Sequence, residues 1–136
     1  MFVLFWMWEM TMAVFTYNVL ADAAKEGVRY AVVHGPRAGG GLCSGPGCPA
    51  CGAGCTPDTS AANVVSRVNT FAQVSLHDIS AMTVNVQYLL DDGTAATVVA
   101  VNTRVRVAVS YTYVPYITLP WVAPTLNTVA EGRIVH

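Results

Sequence analysis

Four cysteines fall in one short stretch, Cys43, Cys48, Cys51 and Cys55, with the spacing C-x4-C-x2-C-x3-C. Thiolates this close could wrap a zinc ion, which takes tetrahedral sulfur ligands, or hold an iron–sulfur cluster. Zinc sites usually pair two C-x2-C knuckles across a longer spacer, and haem attachment through C-x-x-C-H fails because Gly52 follows Cys51. The second residue with a claim to chemistry is Glu9, the only ionisable side chain in residues 1–21, MFVLFWMWEMTMAVFTYNVLA. A carboxylate in such surroundings is costly unless it finds a partner, stays neutral or lies near water. Nothing else points to catalysis. His34, His77 and His136 are scattered, and Ser44, Ser60 and Ser66 sit in no nucleophile motif such as G-x-S-x-G. Asp58, Asp91 and Asp92 lack EF-hand spacing, and the glycines at 39–41 are followed by no GK[ST]. Phe2, Phe5, Trp6, Trp8, Phe15 and Tyr17 crowd one segment, where large aromatics act as packing anchors rather than a cofactor site.

The 136 residues fit one domain. Hydrophobic residues make up 54% and charged residues only 11%, against about 25% charged in ordinary soluble domains. Apolar surface must therefore be hidden by lipid or by partner subunits. With 7 Lys+Arg against 8 Asp+Glu and a net charge of -1, the chain has no basic stripe for phosphates, so no nucleic-acid role is expected. Disorder is disfavoured as well, because low hydrophobicity and high net charge are both missing.

The elements that must position these residues follow from periodicity. Residues 1–21 are about one bilayer span at the helical rise. They show neither a basic region ahead of the apolar run nor a small-residue cleavage site behind it, so the segment is expected to stay in the mature protein. Asp22, Lys25, Glu26 and Arg29 then share one helical face while Leu20, Ala24, Val28 and Ala31 share the other. One helix is expected over 1–34, with an apolar span at 1–21, an amphipathic part at 22–34, and Gly35-Pro36 as its stop. Residues 35–57 read as a Gly/Cys-rich loop. Residues 58–136 form a C-terminal helix-plus-antiparallel-sheet region. Its helix takes Thr56 as N-cap and Pro57 as first residue, buries Ala61, Val64, Val65, Val68, Phe71 and Ala72, and ends near 73–75. The period then switches to two. Strands are expected over 82–90, over 95–101 after an Asp91-Asp92-Gly93 turn, over 104–113, and over 126–135 beyond Pro115, Pro120 and Pro124.

Residues 9–31, EMTMAVFTYNVLADAAKEGVRYA, resemble the TadE-like family of pilin-like (pseudopilin) proteins of tight-adherence pilus systems. There an acidic residue in an apolar helix precedes an A-x-x-A-A-[KR]-E-G-x-R-Y-A run, matched here by Ala23, Ala24, Lys25, Glu26, Gly27, Arg29, Tyr30 and Ala31, with Ala21 one residue beyond the place of the leading alanine. The later VRVAVSYTYVPY, an alternating strand ending in aromatics and Pro, resembles the family too. Family precursors usually carry a basic leader and a second acidic residue upstream; here eight residues precede Glu9, and no cleavage site is placed.

The resemblance implies an α+β, pilin-like fold, in which a long N-terminal apolar helix carries a small antiparallel β-sheet domain with a short second helix. It implies no enzymatic activity and no cofactor. The expected role is a structural subunit of an extracellular pilus-like filament at the cell surface, serving cell adhesion. Its partners would be copies of itself in a helical polymer, the inner membrane before assembly, and the pilus assembly machinery. Within such a filament Glu9 would pair with the N-terminal ammonium or another donor of a neighbouring subunit, as a register device. Ala13, Ala21, Ala23, Ala24 and Gly27 would let helices of different copies approach closely. Export would place Cys43, Cys48, Cys51 and Cys55 in an oxidising compartment and favour two disulfides, in one of three connectivities. Two alternatives remain: a membrane-anchored minor pseudopilin needed for assembly, and a metal or redox binding module built on the cysteine loop.

Overall fold

The computed structural model describes residues 1–36, 43–47, 58–117 and 123–135. It is an α+β layout of two helices and an open three-stranded antiparallel sheet. Helix α1 spans Phe2–Val33, 32 residues. The sequence supplies no Pro and a single Gly over that length, and the helix ends where Gly35 and Pro36 forbid another turn. At that end the His34 amide donates to the Tyr30 carbonyl at 3.0 Å, and the His34 ring stacks on Tyr30 at 4.0 Å.

One stripe of α1 is buried: Glu9, Thr16, Leu20, Ala23, Ala24, Gly27, Val28 and Ala31. The steps of three and four residues keep these positions on one face. The expected division into an all-round apolar span at 1–21 and an amphipathic part at 22–34 therefore moves. Burial on one side begins at Glu9, because the rest of the chain packs that far along the helix. In the second half the expected outward face holds, with Asp22, Lys25 and Arg29 exposed. There Lys25 pairs with Asp22 at 3.1 Å and Arg67 of the second helix with Glu26 at 3.2 Å.

Helix α2 covers Ala62–Gln73 and buries Val64, Val68 and Ala72. It starts later than the sequence suggests. Asp58 accepts the free amides of Ala62 and Asn63 at 2.9 and 2.8 Å, and Ala61 turns through the left-handed region at φ 54°, so residues 58–61 form the entry rather than the first turn. Thr56 and Pro57, expected as cap and first residue, lie outside the described residues. Of the expected apolar positions, Phe71 stays exposed and Val65 half-exposed.

The sheet is a meander of β1 (Met82–Leu89), β2 (Arg104–Thr112) and β3 (Thr125–Arg133), in that order. Val84 stands opposite Val109, and Val109 opposite Thr128. Val105, Val107, Val109 and Tyr111 of the central strand are buried on the face that packs against α1. The other face is polar, with Arg106 facing Glu131 across strands at 3.4 Å.

The strand expected over 95–101 is not formed. Gly93 (φ 84°) closes the expected turn, with its amide on the Leu90 carbonyl, but pairing stops at a single bridge between Leu89 and Ala95. Beyond it the Val99 amide goes to the Pro46 carbonyl and the Ala100 amide to the Thr103 hydroxyl. A segment whose donors are spent outside the sheet cannot ladder. Pro46 belongs to the loop after α1, which is tied down elsewhere too. The Ser44 amide donates to His34, Asp58 pairs with both Cys43 and Gly45, and the Ser44 hydroxyl lies 3.0 Å from the Tyr88 hydroxyl.

Candidate functional site

Two features of α1 stand apart from a simple core helix. From Met1 to Trp8 every side chain is apolar and exposed. The next residue, Glu9, is only 3% exposed. Its Oε2 accepts the Tyr113 hydroxyl at 2.8 Å and its Oε1 accepts the Ile117 amide at 2.8 Å. Each carboxylate oxygen thus has a donor, which is what an apolar environment demands of a charge.

The donors come from the segment that leaves β2. Tyr113 continues the inward alternation of Val105, Val107, Val109 and Tyr111, which aims its ring at α1. The chain then bends at Tyr116 and Ile117, where the Ile117 amide meets the same carboxylate. Burial, and after it the Glu9 carboxylate that takes its hydrogen bond, hold the Tyr113 phenol well above the ordinary tyrosine value. Chemically the arrangement is an anchor, two hydrogen bonds onto one buried carboxylate, with no nucleophile beside them among the described residues.

Glu9 is therefore satisfied inside its own chain, where the sequence suggested a donor from a neighbouring copy. Tyr113 and Ile117 were not singled out from the sequence, although the strand alternation already put Tyr113 on the inward face. The small residues are also engaged within the chain. Ala23, Ala24 and Gly27 are buried, and a Cβ on Gly27 would sit 2.5 Å from Val68 Cγ2. All three lie in the core of the chain itself, with Gly27 where α1 approaches α2 and β2. Ala13 and Ala21 are half-buried, with Ala13 packed against the core.

Cys43 is buried and disulfide-bonded, while Cys48, Cys51 and Cys55 lie outside the described residues. Among the described residues no group of three or more His, Cys, Asp or Glu side chains lies together. His77 packs beside Tyr116 at 4.6 Å, His34 caps α1, and His136 lies outside the described residues. A shallow groove of about 280 Å³ is bordered by Pro46, Ser60, Tyr88 and Ala96 and holds no charged side chain among the described residues. By length and composition α1 could cross a membrane. No family model, curated protein or solved structure matches the chain.

Proposed function

We propose that this chain is a structural subunit of an extracellular pilus-like filament, held in the inner membrane by α1 before assembly. The observation that carries the reading is the run Met1–Trp8, apolar and exposed on all sides at the end of a helix whose other end is fixed in a folded domain. In water each large apolar side chain covered is worth about 1.5–3 kcal/mol, so this stem must be taken up by lipid or by equivalent stems. The resemblance of residues 9–31 to TadE-like pilin-like proteins supports the same role, with the sheet domain turned outward and no reaction catalysed.

The intramolecular pairing of Glu9 favours a second reading, a membrane-anchored minor pseudopilin. A subunit that stands alone in a membrane needs its buried acid satisfied without a second copy, and Tyr113 and Ile117 do this. Electron cryomicroscopy of material sheared from cells, with intact mass spectrometry before and after reduction, separates the two. Filaments built mainly of this chain, about 4 Da lighter before reduction if two disulfides are present, are expected. Filaments made of another protein, with this chain confined to membranes, would overturn the first reading in favour of the second.

A further inference from the structure

Residues 2–8 and 10–21 of α1 look alike as sequence, but the fold separates them at Glu9. Below it every face of the helix is open. Above it one face is taken, by the Glu9 contacts and then by Met12, Ala13, Thr16, Val19 and Leu20 against the domain. The opposite face changes over the same stretch. Thr11, Asn18, Asp22, Lys25 and Arg29 are all exposed and fall at intervals of seven, four, three and four, a single polar line along the helix. No polar residue precedes Glu9 in the helix.

We infer that Glu9, the Tyr113 hydroxyl and the Ile117 amide form a clasp that sets the membrane boundary, so that acyl chains surround α1 up to Glu9 and no further. The inference rests on the reading of the chain as membrane-resident before assembly. Lipid around residues 10–21 would have to displace the sheet domain from Thr16 and Leu20 and leave the Glu9 carboxylate and the Ile117 amide unpaired in hydrocarbon, where no water replaces a lost donor. Trp6 and Trp8 lie within one turn of that boundary, where indole rings settle at the headgroup level. The segment 113–117 then rests on the bilayer surface. A helix lying flat on the membrane would instead press the line of Thr11, Asn18 and Asp22 toward lipid.

The test uses the full chain in nanodiscs of phosphatidylethanolamine and phosphatidylglycerol, with a photoreactive benzoyl-phenylalanine in place of Phe5 or of Phe15, both exposed. Hydrogen exchange at the Ile117 amide is read in parallel. Lipid adducts at position 5 should exceed those at position 15 by about tenfold, with the Ile117 amide protected by about tenfold or more over an open one. Glu9→Ala should raise both the labelling at 15 and the exchange at 117. Tyr113→Phe, which keeps the Ile117 bond, should do so to a smaller degree. Equal labelling at 5 and 15 overturns the inference: with Ile117 protected the helix lies flat, and with Ile117 exchanging freely the clasp opens in lipid. Absence of adducts at both positions overturns it as well. A chain labelled at 5 alone but missing from sheared filaments would leave the clasp standing while the filament reading falls.

Discussion

Gly27 sits inside a 32-residue helix, where glycine is worse than alanine by about 1 kcal/mol. Its position against Val68, Val64 and Val107 explains the choice. Gly27→Ala should lower stability despite the better helix former, since overpacking of a stiff β-branched neighbour costs about 1–3 kcal/mol; urea unfolding followed by circular dichroism checks the sign. The phenols of Tyr88, Tyr111 and Tyr113 are each held above the ordinary tyrosine value, chiefly by burial. The folded state therefore holds these phenol protons more tightly than the unfolded chain does. Their contribution is complete below pH about 10 and is lost as pH rises toward the folded values. Thermal melting should be flat from pH 8 to 10 and fall above it, as 295 nm absorbance reports phenolate; a melting temperature that stays level to pH 12 would contradict this. At this scale half of the Glu9 site was legible. An acid alone in an apolar run announces that it needs a donor, but the donor lies 104 residues away, beyond anything local spacing encodes.

Elements were readable where one face is buried and the other wet. The switch from steps of three and four through α1 to strict alternation in β2 reports burial directly, so both were placed to within a residue or so. Residues 95–101 carry β-branched side chains, which favour strands, yet the Val99 amide goes to Pro46. That competition comes from a glycine-rich loop with no period of its own, so nothing in the segment foretells it. The start of α2 failed for a related reason. Thr56-Pro57 has the composition of a helix start, but Asp58 reaches two residues of the first turn from outside it. Asp58→Ala should destabilise the domain by about 1 kcal/mol, within the usual range for a lost N-terminal cap, and raise hydrogen exchange first at Ala62 and Asn63. Uniform exchange across α2 in that variant would show that the cap contributes nothing.

The whole molecule joins a domain with a polar outer sheet face to a bare apolar stem, and the two should respond separately to substitution. Leu4→Asp leaves every core contact in place, because Leu4 is 68% exposed. The domain should melt within about 0.5 kcal/mol of the parent, as surface substitutions do, whereas a carboxylate in the apolar stem costs about 2.5–3.5 kcal/mol in a bilayer. Membrane retention and filament yield should fall together, read by fractionation and by the sheared fraction. Loss of folding in this variant would mean that the stem is part of the domain.

The sheet lies against a helix that is synthesised first. Gly132, whose missing side chain leaves room for Val28 and Val32, and Ile134, buried beside Thr103, follow all of α1, α2, β1 and β2 in the chain. From Val33 to Arg133 a ribosome adding about 5–20 residues per second needs roughly 5–20 seconds, and the cover of α1 stays incomplete until β3 has emerged. Until Tyr113 and Ile117 have been made, the nascent chain presents a partly covered greasy helix with its acid unpaired. In a chain held in the membrane, as proposed, delivery to a translocation machinery during translation would shield that helix, and the closing of Tyr113 and Ile117 onto Glu9 would follow the emergence of β2.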